Sequence, residues 1–448
     1  MSANTAMTLD RYRETLAQDQ PQLAADSPPW LAQHRRDAAH SLRVLGFPQR
    51  RQEAWRYTSI DRLLQHDFVP DAGLAEPVID IERWRLPRLD AHRVVLVNGR
   101  FVRGLSSLAE LPPGVTVGGL KQQITGNSML PACWLGLTAG EPAHIFNALN
   151  SAAMEDGLFI HLGRDQRLDR PIEVLHLTDV PGAPVVAHSR NLVLLEPGAQ
   201  ATLVERFAGM DGSLYFSNGL SEIVLLDGAG LEHYRLQEES HTAFHLHSLF
   251  IKQHEGSHYR NSGYVLGGTW SRTELTIDFA GTAAAAELDG LYLAGEQQLS
   301  DVHIDIRHGV PGCTSRSRYK GLLHGRGRAV FDGRIEVSAH AGKSDAHLHN
   351  DNLLLSRNAE VDTKPQLVIH ADDVRCSHGT TVGQLDQAQL FYLRSRGIET
   401  ADARRLLCLG FVGEILERCR IAPLRKRIEA GISRRLLDAG DIIAEHSK

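Results

Sequence analysis

The sequence predicts a mainly β protein built around a β-helix, with helical regions before and after it. Three observations predict this fold. Short strand-like runs follow one another from Pro171 to Ile369 with no convincing helix between them. Glycine and aspartate separate these runs at intervals of about 24 to 30 residues, the range typical of solenoid coils. Apolar residues recur at helical spacing near both ends of the chain.

We therefore divide the chain into three parts. Residues 1–155 are predicted to form an N-terminal helical and mixed region, residues 156–375 a parallel β-helix core, and residues 376–448 a C-terminal helical domain. A sandwich or a barrel stays open for the β-rich part, because many short strands with turn signals also serve those folds. We favour the β-helix, because about 200 residues of irregular strand–turn sequence without a helix stack more easily than they close.

Composition limits the classes of function. The five cysteines are odd in number and scattered, which argues against a disulfide framework and fits a reducing compartment. A net charge of -6 offers no basic footprint for nucleic acid. The N-terminus lacks the apolar core of a secretory signal, and no run of about 18 apolar residues is present. We therefore expect a cytoplasmic protein that binds neither nucleic acid nor a membrane.

Cys376 and His378 are the main candidate ligands. They lie two residues apart, so on an extended strand both side chains share one face, where a thiolate and an imidazole can meet iron or zinc. The same spacing fits a packed cysteine beside a surface histidine. Two protein ligands cannot close a tetrahedral site, so any metal needs further ligands, including ones from another chain.

Two histidine pairs form a second candidate group: His245 with His247, and His347 with His349. On a strand, each pair places two imidazoles on one face, which is either a metal grouping or a solvated solenoid face rich in polar residues.

Catalytic motifs are missing from the sequence. There is no phosphate loop ending in Gly-Lys-Ser/Thr after the required glycine, no dinucleotide fingerprint and no Gly-x-Ser-x-Gly elbow. Adjacent carboxylates such as Glu238 and Glu239 point to opposite faces of a strand and cannot act together. We therefore expect no catalytic residues.

The stretch from Lys364 to Gly383, with the helical sequence from Leu390 to Ile398, resembles the C-terminal signature of the SufB/SufD family. Three further pieces are similar to that family: Glu53 to Thr58, Asn147 to Asn150, and Tyr319 to Leu323. The resemblance covers nearly the whole chain. It implies a right-handed parallel β-helix between N-terminal and C-terminal helical regions.

Two departures favour the SufD branch of this family over the SufB branch. SufB proteins carry a cluster-assembly cysteine where this chain has Asn350, just before a Leu-rich strand. SufB proteins also read His-Glu-Ala-Thr where this chain reads His378-Gly379-Thr380-Thr381.

The resemblance implies a non-catalytic scaffold subunit of the SUF machinery, which assembles iron-sulfur clusters. It implies pairing with SufB through the β-helices and binding of the SufC ATPase through the C-terminal helical domain. A homodimer of the isolated chain stays open. Cys376 and His378 would lie at the SufB interface and hold a transient iron-sulfur cluster shared with SufB, and no nucleotide would bind to this chain.

Two alternatives stay open at this point. A secreted-type β-helix polysaccharide hydrolase or lyase needs carboxylates that converge along an exposed groove. A mononuclear metal protein would use the histidine pairs.

Overall fold

The structure, a computed structural model, describes residues 6–18, 27–70, 79–108, 110–126, 128–180 and 182–445, and it describes side chains as far as residue 436. The N-terminal part contains the helices α1 (Leu9–Ala17), α2 (Pro29–Val44), α3 (Asp61–Leu64), α4 (Leu120–Thr125), α5 (Met129–Trp134) and α6 (Ile145–Ala153), and the 3-10 turns Glu53–Trp55, Glu82–Trp84 and Arg103–Leu105. Its strands are β1 (Met7–Thr8), β2 (Asp67–Pro70), β3 (His92–Val97), β4 (Arg100–Phe101) and β5 (Val115–Gly119).

A long series of strands follows, and three helices end the chain. The strands are β6 (Leu158–Leu162), β7 (Ile172–Thr178), β8 (Val185–Ala187), β9 (Arg190–Leu195), β10 (Gln200–Gly209), β11 (Tyr215–Leu225), β12 (Gly230–Gln237), β13 (Phe244–Gln253), β14 (His258–Val265), β15 (Trp270–Phe279), β16 (Ala285–Ala294), β17 (Leu299–His308), β18 (Thr314–Leu323), β19 (Arg328–Val337), β20 (Asp345–Leu354), β21 (Glu360–Ile369) and β22 (Arg375–Gln384). The helices are α7 (Gln387–Ser395), α8 (Thr400–Glu417) and α9 (Ala422–Glu445).

From β10 onward, consecutive strands alternate between two sheets, and each strand pairs in parallel with the strand two further along the chain. One sheet runs β11-β13-β15-β17-β19-β21, and the other runs β10-β12-β14-β16-β18-β20-β22. In-register residues such as Leu348 and His378 are about 30 residues apart, at the long end of the predicted coil period. The result is a parallel β-solenoid of about eight turns flanked by helices, which confirms the predicted fold class and excludes a sandwich or a barrel.

Side chains of alternate strand residues fill the space between the two sheets, which we call the lumen. Leu288, Ile304, Phe331 and Ile335 are almost fully buried there, because their side chains point inwards and pack together in one core cluster. Isoleucine, valine and leucine suit these pleated, closely packed surfaces.

The two helical regions cover different sheets. Near the N-terminus, Trp55 and Phe146 pack against Trp270 on the outer face of the sheet that contains β15. At the C-terminus, Ile415 of α8 and Leu322 of β18 belong to one buried cluster on the outer face of the other sheet. Burial of these faces holds both helical regions against the solenoid.

The solenoid extends beyond both predicted limits of the β-helix core, residues 156 and 375. β3, in the part predicted as mixed, already pairs in parallel with β7. At the other end, β22 continues to Gln384, and the first C-terminal helix begins at Gln387. Cys376 and His378 therefore belong to the last coil of the solenoid.

Candidate functional site

Cys376 and His378 lie on β22, the edge strand of its sheet. Cys376 is in register with Ala346, and His378 is in register with Leu348. Ala346 and Leu348 are buried in the lumen, so strand alternation directs both candidate side chains towards the lumen as well. The two side chains share one face, as the spacing predicts.

The two side chains differ in exposure, although both lie on the last described coil. Cys376 is half-buried and packs against the lumen core, whereas His378 is exposed. Burial, with a smaller contribution from the Asp345 carboxylate, raises the pKa of the Cys376 thiol. The free chain therefore holds Cys376 as a thiol at neutral pH, and a metal must displace its proton in order to bind.

The final coil leaves two sheet edges open. Among the described residues, β21 pairs only with β19, and β22 pairs only with β20. Thr363 Oγ1 and Thr380 Oγ1 lie 3.1 Å apart and connect the two edge strands. Ile369 and Val382, at the ends of these strands, are 40% and 50% exposed. Unpaired backbone groups and exposed apolar side chains make this end suitable for pairing with another chain.

The second histidine pair lies on the outer face of β20, the strand next to β22. His347 Nδ1 lies 2.5 Å from Ser377 Oγ, and His347 Nε2 lies 2.8 Å from Asp345 Oδ1. His349 lies against Gly379. These imidazoles are on the opposite face of the sheet from Cys376 and do not join it in one site.

The first histidine pair is buried, which corrects the expectation of a solvated face. His245 and His247 are almost fully buried in the lumen. His245 Nδ1 lies 2.8 Å from a Glu239 carboxylate oxygen, and His247 Nε2 lies 2.8 Å from Ser221 Oγ. Burial holds the pKa of His247 well below its ordinary value, so this imidazole is neutral. In the described part of the chain, no group of three or more His, Cys, Asp or Glu residues is arranged to hold a metal ion.

Sequence reasoning missed a polar network inside the lumen. Glu205 is buried and lies 2.9 Å from His176 Nε2 and 2.7 Å from His233 Nε2. Burial opposes the charge on Glu205, but hydrogen bonds from the two histidines outweigh it and hold its pKa well below the ordinary range. This network satisfies polar groups in the core, and nothing about it requires a ligand.

The other cysteines are separate from this site. Cys313, Cys408 and Cys419 are buried, Cys133 is exposed, and all are free. Burial raises the pKa of Cys408 to about 12, which fits a packing role.

Asn350 occupies the position at which the sequence resemblance distinguishes the two branches of the family. It is buried and donates from Nδ2 to the Tyr292 hydroxyl at 2.9 Å. This amide reaches past β18 and connects β20 to β16 inside the lumen, so Asn350 has a structural role here.

The C-terminal helices present apolar side chains to solvent while they are fixed to the sheet. Phe391 and Tyr392 on α7 and Leu406 on α8 are exposed. Lys320 of β18 donates to the Phe411 carbonyl of α8 at 2.9 Å, and Arg418 Nε lies 2.6 Å from Asp289 of β16. No helix in the described ranges is long and apolar enough to cross a membrane.

Together, the fold and the site define a parallel β-helix protein whose last described coil carries a cysteine and a histidine on its inner face. The model of the SUF system FeS cluster assembly SufBD core domain matches residues 177–411, and the model of the SufBD protein N-terminal region matches residues 7–174. The chain belongs to the SufBD family of the SUF iron-sulfur cluster assembly system, as the sequence resemblance predicts.

Relatives indicate the branch of the family. The chain is 34% identical over 395 residues to the iron-sulfur cluster assembly protein SufD of Escherichia coli, which covers 87% of this chain and 90% of that protein. It is 32% identical over 437 residues to an iron-sulfur cluster assembly SufBD family protein of Synechocystis, with 96% of both chains covered. It is 30% identical over 398 residues to the chloroplastic protein ABCI7 of Arabidopsis thaliana, covering 86% of this chain and 82% of that protein. The chain is a SufD-like member of the SUF system, and none of these matches supports a polysaccharide hydrolase or lyase.

Proposed function

We propose that this chain is a non-catalytic scaffold subunit for iron-sulfur cluster assembly. It pairs with SufB through the open end of the solenoid and binds the SufC ATPase through its C-terminal helices. Cys376 and His378 contribute two ligands to a nascent cluster that is shared with SufB. The chain itself binds no nucleotide.

The observation that carries this proposal is the position of Cys376 and His378 on the inner face of the last strand. A thiol and an imidazole suit iron, but two ligands leave the coordination sphere incomplete. A chain that covers the open end would bring its own ligands to the same place. The cluster is cargo in this scheme, so an incomplete site in each subunit favours its later release.

Pairing at the open end follows from the two free sheet edges. A partner strand that adds to β21 or β22 would satisfy backbone N–H and C=O groups that now face solvent. It would also bury Ile369 and Val382. Because SufB belongs to the same family, its solenoid offers the same type of surface.

Binding of the ATPase is supported by the exposed Phe391, Tyr392 and Leu406. Large apolar and aromatic side chains of this kind are frequent anchors of protein interfaces. α8 is tied to the sheet that ends in β22 through Lys320 and Arg418. A nucleotide-driven shift of the helices would therefore act on the sheet that carries Cys376.

The experiment that tests this role is coexpression of the chain with SufB and SufC, followed by native mass spectrometry of the purified material. We expect a complex that contains all three proteins. Recovery of the chain as a monomer or homodimer, with SufB and SufC purifying without it, would contradict the proposal.

A further inference from the structure

A large cleft separates the last coils of the solenoid from the C-terminal helices. It consists of two adjoining cavities of about 870 and 580 Å³, whose linings share Leu355, Leu385, Leu390 and Arg404. One wall is formed by the turns that follow β18 and β20, and the other by α7 and the beginning of α8. We call this space the arginine cleft, for the side chains on its walls.

Four arginines with no described partner line the two walls of the cleft. Arg326 and Arg357 lie on the solenoid turns, and Arg394 and Arg404 lie on the helices. In the part of the chain that the structure describes, none of these four side chains forms an ion pair or hydrogen bond. By contrast, Arg418, which follows α8, is held by Asp289 at 2.6 Å.

The positive charge of the cleft is not balanced by its own lining. Glu296 and Glu399 are the carboxylates among the described lining residues, and Arg405 adds a further cation that is paired with Asp402 at 3.0 Å. The whole chain has a net charge of -6, so this concentration of cations is a local departure. Like charges held close together repel, and an anionic occupant relieves that repulsion.

The apolar residues of the lining limit the kind of occupant. Leu390 and Cys408 are buried, and Leu355 and Leu385 are half-buried. A small inorganic anion gains nothing from this apolar surface. A protein segment with apolar residues on one side and carboxylates on the other gains from both the leucines and the arginines.

We propose that the arginine cleft binds an acidic, amphipathic segment of the ATPase subunit. Apolar side chains of the segment lie on Leu355, Leu385 and Leu390, and its carboxylates lie between the arginines of the two walls. Arginine suits this role because its planar guanidinium binds a carboxylate through two parallel hydrogen bonds. The inference rests on the proposed function, because the wall formed by α7 and α8 belongs to the same helices that expose Phe391 and Leu406.

Occupation of the cleft has a mechanical consequence. The two walls belong to different parts of the molecule, so a bound segment fixes the helices against the last coils. Release of the segment frees α7 to move relative to the coil that carries Cys376, while α8 stays tied to the sheet through Lys320 and Arg418.

The test is the affinity of the purified chain for SufC, measured by isothermal titration calorimetry at two salt concentrations. The variant Arg357→Glu/Arg404→Glu replaces attraction by repulsion on both walls, and we expect it to weaken binding at least about tenfold and to reduce the salt dependence. Arg357→Lys/Arg404→Lys, which keeps the charge, should retain more of the affinity. Arg50→Glu/Arg51→Glu is the matched control, because both residues are exposed and far from the cleft in sequence, and it should bind like the unmodified chain.

Two results would overturn the inference, and they differ in what they imply. Unchanged SufC affinity in Arg357→Glu/Arg404→Glu would show that the cleft is not the binding site, while the proposed function would stand. Failure of the unmodified chain to bind SufC would overturn both. Binding of SufB by the double variant shows that it is folded.

Discussion

The imidazole of His349 lies so close to Gly379 of the neighbouring strand that a Cβ at Gly379 would be 2.4 Å from a ring carbon. Glycine at this position therefore allows the His349 ring to lie over the edge strand β22. The contact is on the outer face of the strand that carries Cys376 and His378 on its inner face, so it helps to fix the position of the site.

A double-mutant cycle tests this contact. Gly379→Ala should lower the free energy of unfolding by about 1 kcal/mol, because the new methyl group displaces the ring or the strand. In the His349→Ala background, the same change should be neutral or stabilising, since alanine suits a strand better than glycine does. Urea unfolding of the four proteins gives the coupling energy. Equal effects in both backgrounds would contradict the account.

Stability should fall as the pH is lowered from 7.5 to 5.5. Burial lowers the pKa of His188 to about 3 and that of His308 to about 4. In the unfolded chain these groups titrate near pH 6.5, so the unfolded state binds more protons between pH 4 and 6.5. The contribution of these histidines to the free energy of unfolding is therefore complete above pH 6.5. Below pH 6.5 it falls by about 1.4 kcal/mol per pH unit for each such histidine.

The measurement for this prediction is the urea midpoint at pH 7.5, 6.5 and 5.5. His308→Gln is the control variant, because it removes one titrating group and should show a shallower pH dependence. A midpoint that stays constant over this range would exclude neutral buried histidines.

Exposed apolar side chains on the helices should affect partner binding and leave stability unchanged. Phe391→Ala/Leu406→Ala should weaken SufC binding about tenfold, because it removes two apolar anchors from a surface helix pair. Thermal unfolding should stay within the range of ordinary surface substitutions, about 0.5 kcal/mol. Met129→Ala, at another exposed apolar residue, is the control and should bind normally. Normal SufC affinity in the double variant would argue against these helices as the contact.

A charge on the open edge should block pairing with SufB. Val382 is exposed at the end of β22, and a lysine there would have to be buried in a continuous interface. We expect Val382→Lys to lose SufB in a pull-down while it unfolds at the normal temperature. Val44→Lys, on the exposed part of α2, should retain SufB. Full retention of SufB by Val382→Lys would place the interface elsewhere.

Sequence patterns predict the parts of this molecule that depend on local alternation. Cys376 and His378 share a face because strand side chains alternate, and this needs no knowledge of the fold. The β-helix can be predicted because turn residues recur along the sequence at intervals typical of solenoid coils. The pairing surface and the cluster are implied by the family resemblance alone, because no spacing of two residues can indicate them.

Contacts between coils are the part that sequence patterns do not predict. His245 and His247 look like residues of a solvated face, but they lie in the lumen, where His247 meets Ser221 of the preceding coil. Glu205 is charged in the core because His176 and His233 come from the coils on either side of it. Such partners are about 30 residues away, and their register depends on every intervening turn.

The central claim is that Cys376 and His378 hold the nascent cluster together with SufB. The direct measurement is the iron and acid-labile sulfide bound per complex, after reconstitution of the chain with SufB and SufC, for Cys376→Ala, His378→Ala and the exposed-cysteine control Cys133→Ala. Loss of a direct ligand should lower both contents at least about tenfold in a complex of unchanged composition, whereas Cys133→Ala should match the unmodified protein. Full iron and sulfide in Cys376→Ala and His378→Ala would contradict the claim.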